Sequence, residues 1–487
     1  MNPLVEHQAV LTRRQLLGRS GLGIGSAALA TLAGPALCEA SSATNDTSSL
    51  PESIGQFAPK AKRVIYLFQN GGPTHVDLFD HKPTLTKLAD QPLSAELLNG
   101  KRFSTMTAGS KKVFMPEITK FSRFGETGKM LAGDFLPRTA AIADKLCFVH
   151  SMHTTQVNHA PAITYFLTGN ELPGKPSMGA WLTYGLGSEA QDVPGFIVMT
   201  SRDRQASCGQ IFYDFYWGSG FLPSKFQGVK FRGAGDPVLY LSNPKGISRS
   251  VRRKQLDDLA ILNQKNMERT GDPEIATRIA QYEMAYKMQS SVPELTDLSD
   301  ESASTLKLYG NQVTEKGTFA FNCLMARRLA EKGCRFIQLM HAGWDQHSNL
   351  GHQLKVQCED TDAPSAGLVQ DLEQRGLLED TLVIWGGEFG RTPFRQEKSG
   401  GRIGRDHHPY AFTVWMAGGG VKPGTSFGES DEFGFGVQKD PVRVRDLQAT
   451  ILHLMGIHHE RFSYRFQGLD QKLTGVEEAH VIKNILA

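Results

Sequence analysis

The sequence predicts an α/β fold, a three-layer α/β/α sandwich around a mostly parallel central sheet. Three observations lead there. Short apolar runs recur along the chain: RVIYLFQ (63–69), KLCFVHS (145–151), PGFIVMT (194–200), CRFIQLM (334–340), TLVIWGGEFG (381–390) and AFTVWMAGGG (411–420). Most are continuously apolar rather than alternating, as strands covered on both faces are. Helical patterns lie between them, and strands that alternate with helices build parallel sheets with helices on both sides. The third observation is that polar clusters follow directly after several of the runs. Ligands of such sheets bind beyond the carboxyl ends of the strands.

Each element has a local reason. RVIYLFQ is β-branched and aromatic and is stopped by Asn70-Gly71-Gly72. FNCLMARRLAEKG (321–333) reads as a helix with Lys332 in its last turn and Gly333 at the stop position. RDLQATILHLMGI (445–457) puts Leu447, Ile451, Leu454 and Met455 on one stripe, with Asp446 as cap and Gly456 as stop. Residues 248–291 are charged and helical, an insertion or outer layer.

The ends of the chain differ from its body. Residues 1–40 carry paired arginines, Arg13 and Arg14, then an uncharged Gly/Ala-rich stretch and an A-x-A-like end, Cys38-Glu39-Ala40. That order reads as a twin-arginine export signal, which places the mature protein in the periplasm or outside the cell. Residues 41–60 are Ser/Thr/Pro-rich and read as a flexible leader, leaving 61–487 as the folded domain. The mature chain is expected to carry no integral membrane segment. Lys plus Arg number 53 against 50 for Asp plus Glu, a net charge of +3, so a nucleic-acid partner has no electrostatic support. Beyond the signal, Cys147, Cys208, Cys323, Cys334 and Cys358 form no CxxC and no even framework. Three of them sit in apolar surroundings, as buried thiols do.

Four polar clusters fall near predicted strand ends. HAGWDQHSNLGH (341–352) follows CRFIQLM and brings Asp345 and His347. NGGPTHVDLFD (70–80) brings Asn70, His75, Asp77 and Asp80; Asp77 also suits an Asx-turn. GGEFGRTP (386–393) brings Glu388 and Arg391, the latter either an ion-pair partner or an oxyanion clamp. HTTQVNHAPAITYFLTGN (153–170) follows KLCFVHS and brings His159. A fifth stretch, GRDHHP (404–409), precedes a predicted strand and brings Asp406, His407 and His408. Imidazoles with carboxylates suit a first-row divalent ion. Such an ion polarises an anionic ester or activates water. Lone histidines such as His150 and His453 read instead as structural.

With those residues in hand, the chain resembles the alkaline phosphatase, sulfatase and phosphoglycerate mutase superfamily. More closely it resembles the exported, sulfatase-like family called domain of unknown function 1501. The stretches that carry the resemblance are FQNGGPTHVDLFDHKP, PSMGAWLTYGLG, GSGFLPSKFQGVKFR, GWDQHSN, WGGEFGRTP, GRDHHPYAFTVWMAGGGVKPG and RDLQATILHLMGI. The resemblance implies an alkaline phosphatase-like fold with metals at the strand carboxyl ends.

It also exposes departures. Asn70 stands where the superfamily has a metal-binding Asp, and Glu388 and Phe389 replace its Asp and His. No hydroxyl or thiol stands at the usual nucleophile position, where this chain has Asn158-His159-Ala160-Pro161 before FLTG. A formylglycine signature is missing, since the nearest match, Cys323 to Arg327, has Met325 where Pro belongs.

The resemblance therefore implies one intact and one altered metal position, and two metals are what clamp both attacking and leaving oxygens. Asp345, His347, Glu388, Asp80 and one of His407 and His408 are the expected ligands of a divalent zinc, manganese or calcium ion. His159 and Arg391 are the expected catalytic residues, His159 as ligand, base or nucleophile. Two functions follow as expectations. One is an exported metal-dependent hydrolase of phosphate or sulfate esters. The other is a non-catalytic module that binds a sulfated glycan or a protein partner.

Overall fold

The computed structural model describes residues 57–487 apart from 202–203, 205–210, 234–237, 239–242, 244, 273 and 399–401. The expected export signal, with Arg13 and Arg14, lies outside the described residues.

The sheet begins with β1 (Arg63–Gln69), every residue of which is buried. Its side chains alternate between two cores: Ile65 and Leu67 face one, Val64, Tyr66 and Phe68 the other. This is why the run is continuously apolar, because a strand with a helix layer on each side has no solvent face. The other strands are β2 (Cys147–His153), β3 (Phe196–Ser201), β4 (Val229–Phe231), β5 (Phe336–His341) and β6 (Thr381–Gly386). They are followed by β7 (Gly390–Lys398), β8 (Arg402–His408), β9 (Phe412–Ala417), β10 (Ser426–Phe427) and β11 (Val442–Arg443). The main sheet runs β10-β2-β9-β6-β1-β5-β3-β4, with β11 paired to β2. All its pairings are parallel except those of β9, which is antiparallel to β2 and β6.

Helices α1 (His159–Thr168), α2 (Met178–Leu186) and α8 (Val444–Leu454) supply residues to one core. Helices α4 (Glu274–Thr296), α6 (Phe319–Glu331) and α7 (Leu350–Gln374) supply residues to the other. Further helices include α3 (Arg249–Thr270), mostly exposed, and α5 (Ala303–Tyr309). The architecture is the three-layer α/β/α sandwich that the sequence predicts. Helices α3 and α4 occupy the charged stretch read as an insertion, which runs on to Thr296. No helix among the described residues is long and apolar enough to cross a membrane.

Two details differ from the sequence reading. The end of the expected leader belongs to the folded body: Lys60 and Ala61 both donate to the Leu454 carbonyl, and Phe57 packs against His453 and His458. GRDHHP precedes β9, as expected, but it also ends a strand of its own, β8, which pairs antiparallel with β7 as a separate ribbon. Its polar residues hid it, because a strand that carries a site has side chains chosen for chemistry rather than for burial.

Candidate metal centre

Four side chains converge beyond the carboxyl ends of the parallel strands: His159, Asp345, His347 and His407. Their ligand atoms all lie within 4.8 Å of one another. They come from three places in the chain. His159 opens α1. Asp345 and His347 lie on the loop between β5 and α7, two residues apart. His407 sits near the end of β8, opposite Arg391 of β7.

Asp345 Oδ1 is the hub. It lies 2.7 Å from His347 Nε2, 3.1 Å from His159 Nε2 and 3.3 Å from His407 Nε2. His347 Nε2 and His407 Nε2 are 3.0 Å apart. Ligands on a four-coordinate ion with bonds of roughly 2.0–2.1 Å would be about 3.3 Å apart. The cluster is therefore of the right size, slightly contracted.

The opposite side of each ring decides what the near side can do. His159 Nδ1 donates to Glu388 Oε1 at 2.5 Å, His407 Nδ1 to the Val157 carbonyl at 2.8 Å, and His347 Nδ1 to Gln396 Oε1 at 2.6 Å. Carboxylate and carbonyl oxygens only accept, so each Nδ1 carries a proton, and each ring, when neutral, offers a bare Nε2. Three lone pairs then face one another and a carboxylate in a buried space. His159 Nε2 accordingly finds no hydrogen-bond partner. A bound cation resolves that arrangement, and acceptors behind metal-binding histidines set the tautomer in this way.

Without an ion, a second proton on Nε2 is the alternative that relieves these facing lone pairs, and the electrostatics of the ion-free cluster reflect it. Burial works against the Asp345 carboxylate, yet the Arg391 guanidinium and the three imidazoles hold it far below the usual range. Burial depresses His407 to about 4. Burial also depresses His159, but Asp345 and Glu388 outweigh it and leave its pKa raised. His159 keeps 13% of its side chain exposed, against 1–6% for the other three, so solvent meets the cluster at His159.

Glu388 stands behind His159 and is fully buried, and both its oxygens accept from the Gly71 N–H, at 3.0 and 3.2 Å. Gly71 has φ of +116°, and a Cβ there would lie 2.5 Å from the Asp345 nitrogen. Only glycine lets the end of β1 lie against the loop that carries Asp345. Arg391 is also fully buried and donates to the Gly71, Gly72 and Arg405 carbonyls and, at 2.6 Å, to Asp345 Oδ1.

The remaining expected site residues fall elsewhere. Adjacent residues of a strand point to opposite faces. His407 therefore joins the cluster while His408 turns away and donates from Nε2 to the Phe435 carbonyl at 2.7 Å. Asp80 is engaged by Lys82 at 2.9 Å and by the Ser430 hydroxyl. Asp77 forms a two-bond ion pair with Arg405, and His75 Nε2 donates to the Gly434 carbonyl. The sequence reading missed Gln396 and the Val157 carbonyl, which hold two of the rings; neither carries a signal in a single sequence.

The profile of the family described as "Protein of unknown function (DUF1501)" matches residues 61–486. The chain belongs to this family. No curated protein matches it. Similar solved structures include the PsFucS1 sulfatase from Pseudoalteromonas sp., 12% identical over 84% of this chain and 71% of that one, with a TM-score of 0.34. They also include the lipoteichoic acid synthase LtaP from Listeria monocytogenes, 12% identical over 88% and 77%, at 0.34. A third is the alkaline phosphatase of the Antarctic bacterium TAB5, 11% identical over 77% and 96%, at 0.29. The fold of this family member is a mixed α/β sandwich with a large, mostly parallel sheet.

Proposed function

We propose that this chain is an exported, metal-dependent hydrolase of phosphate or sulfate esters. The observation that carries the reading is the set of three imidazoles, each with Nδ1 tied to an acceptor and Nε2 turned toward Asp345. His159, His347, His407 and Asp345 would hold the ion. Three nitrogens and one oxygen suit zinc or manganese and fit calcium poorly, since calcium takes six to eight oxygen ligands. Such an ion supplies Lewis acidity toward an anionic ester or water.

The chain's own residues do the rest. Glu388 orients His159 and keeps its proton on Nδ1. Arg391 braces Asp345 against the turn after β1. No Ser, Thr or Cys stands in Asn158-His159-Ala160-Pro161, where the resemblance puts a nucleophile, which favours water over a side-chain nucleophile as the attacking group. The solvent-facing edge at His159 is where an ester would approach. Export rests on the paired arginines and apolar stretch of residues 1–40.

The same lack of a nucleophile, with three of the four groups nearly closed off, also supports a second reading, a module that binds a sulfated glycan without turnover. A screen of the mature protein with zinc, manganese and calcium against phosphomonoesters, phosphodiesters and sulfate esters separates the two. Turnover that is lost in His159→Ala supports the hydrolase. No turnover with any metal, together with tight binding of sulfated glycans, leaves the binding module.

A further inference from the structure

We infer that the centre takes a single divalent ion and that Arg391 is the resident second cation of the site. The inference rests on the proposed metal reading and concerns how many ions the site admits. Four of the five N–H groups of the Arg391 guanidinium are engaged: two by the Gly71 and Gly72 carbonyls, one by the Arg405 carbonyl and one by Asp345 Oδ1. That last oxygen is the one toward which all three imidazoles turn. A carboxylate that would bridge two ions thus has a fixed, permanently charged group on one side and open imidazole nitrogens on the other.

Among the described residues, the carboxylates that a second ion would need are committed to other partners. Asn70, at the end of β1, is a neutral amide; its side-chain atoms are buried and have no hydrogen-bond partner. Phe389 fills the flank of the cluster, its ring 4.9 Å from those of both His159 and His407. The nearby carboxylates are engaged elsewhere. Asp77 is held by Arg405, Asp80 by Lys82, and Asp406 by the Ser104 and Thr107 hydroxyls and the His407 N–H.

Charge points the same way. Asp345, Glu388, Asp406 and Arg391 sum to −2 with neutral imidazoles. One divalent ion cancels that charge. Two would leave +2 in a largely buried space, which is costly without further carboxylates. Arg391 is in this view a positioning residue: it acts through Asp345 and the turn after β1.

The test is metal stoichiometry, which does not depend on turnover. Mature full-length protein is loaded with zinc or manganese, freed of excess and measured by elemental analysis, with titration calorimetry in parallel. One ion per chain is expected, with no second event up to millimolar metal. Two ions per chain in the wild type overturn the inference and leave the metal reading intact. None overturns both. Arg391→Lys keeps the charge but not the fork of donors. It is expected to weaken metal binding at least tenfold while the stoichiometry stays at one. Asn70→Asp in an Arg391→Gln background restores a carboxylate and removes the resident cation, and is expected to admit a second ion. A folded double variant that still takes one ion counts against Arg391 as the excluding group.

Discussion

His159 and Glu388 are joined by a short hydrogen bond, with Nδ1 and Oε1 2.5 Å apart and Glu388 fully buried behind the ring. The two residues are 229 positions apart in the chain and meet only because α1 and the turn after β6 share one edge of the sheet. The link orients the ring and makes Nε2 more basic. Glu388→Gln keeps the shape but removes the charge, and an amide can present its NH₂ group to the ring instead. Metal affinity is expected to fall roughly 10–100-fold, the usual cost of removing such a partner. Competition with a chromophoric chelator reads it directly. Unchanged affinity would show that Glu388 does not tune the ring.

His407 and His408 are neighbours with opposite expected phenotypes. His407→Ala and His347→Ala each remove a ligand, so bound metal and its stabilisation should both disappear. At a thousandfold excess over Kd that stabilisation is ~4 kcal/mol. His408→Ala should keep one ion per chain and lose stability instead, because it leaves the buried Phe435 carbonyl without its donor. Thermal melts with and without chelator separate the classes. Chelator sensitivity that survives in His407→Ala would place the metal elsewhere.

The metal-free protein should lose stability as pH falls below neutrality. His75 and His408 stack with centroids 6.1 Å apart, and burial lowers both pKa values, that of His408 to about 3. In the unfolded chain both titrate near 6.5. The unfolded state therefore binds more protons between about 6.5 and the lowered folded values. Stability is fully present above 6.5 and is lost as pH drops through that window. Melting of chelated protein at pH 7, 6 and 5 should show the decline. It should be shallower in His75→Gln, whose amide can still donate toward Gly434. A flat profile would mean that these rings do not titrate on unfolding.

Gly71→Ala tests the close approach of β1 to the Asp345 loop. The backbone there has φ of +116°, and the added Cβ would lie 2.5 Å from the Asp345 nitrogen and 2.8 Å from the Trp344 carbonyl carbon. Strain of this kind costs roughly 1–3 kcal/mol, and relief requires moving Asp345. Lower stability and weaker metal binding are expected together. A variant that melts earlier but binds metal as the wild type does would separate the turn from the site.

Replacing both Arg13 and Arg14 with Lys should hold the precursor in the cytoplasm, because the transport machinery reads the paired guanidinium groups. Cell fractionation against wild type measures it. Normal export of the double variant would remove the twin-arginine assignment.

The sandwich was legible in the sequence, and so was the edge of the sheet that carries the candidate site. Runs such as RVIYLFQ and TLVIW have no polar face, and only a strand covered on both sides tolerates that. Asp345 and His347 were legible for a similar reason, since a carboxylate and an imidazole just past a buried strand have no packing role there. What only the tertiary structure decided was the choice among equals. His407 and His408 are indistinguishable in GRDHHP, and the alternation of β8 sends one to Asp345 and the other to the Phe435 carbonyl. Asp80 looked like a ligand, but Lys82 and Ser430 engage it. Arg391 had two readings in sequence, and its contacts with Asp345 and three carbonyls make it a brace. The division has one physical cause. Burial is a property of a segment and leaves a pattern in consecutive residues. The candidate metal centre is a meeting of side chains from the loop after β5, from β8 and from α1, and their distances from one another are written nowhere along the chain.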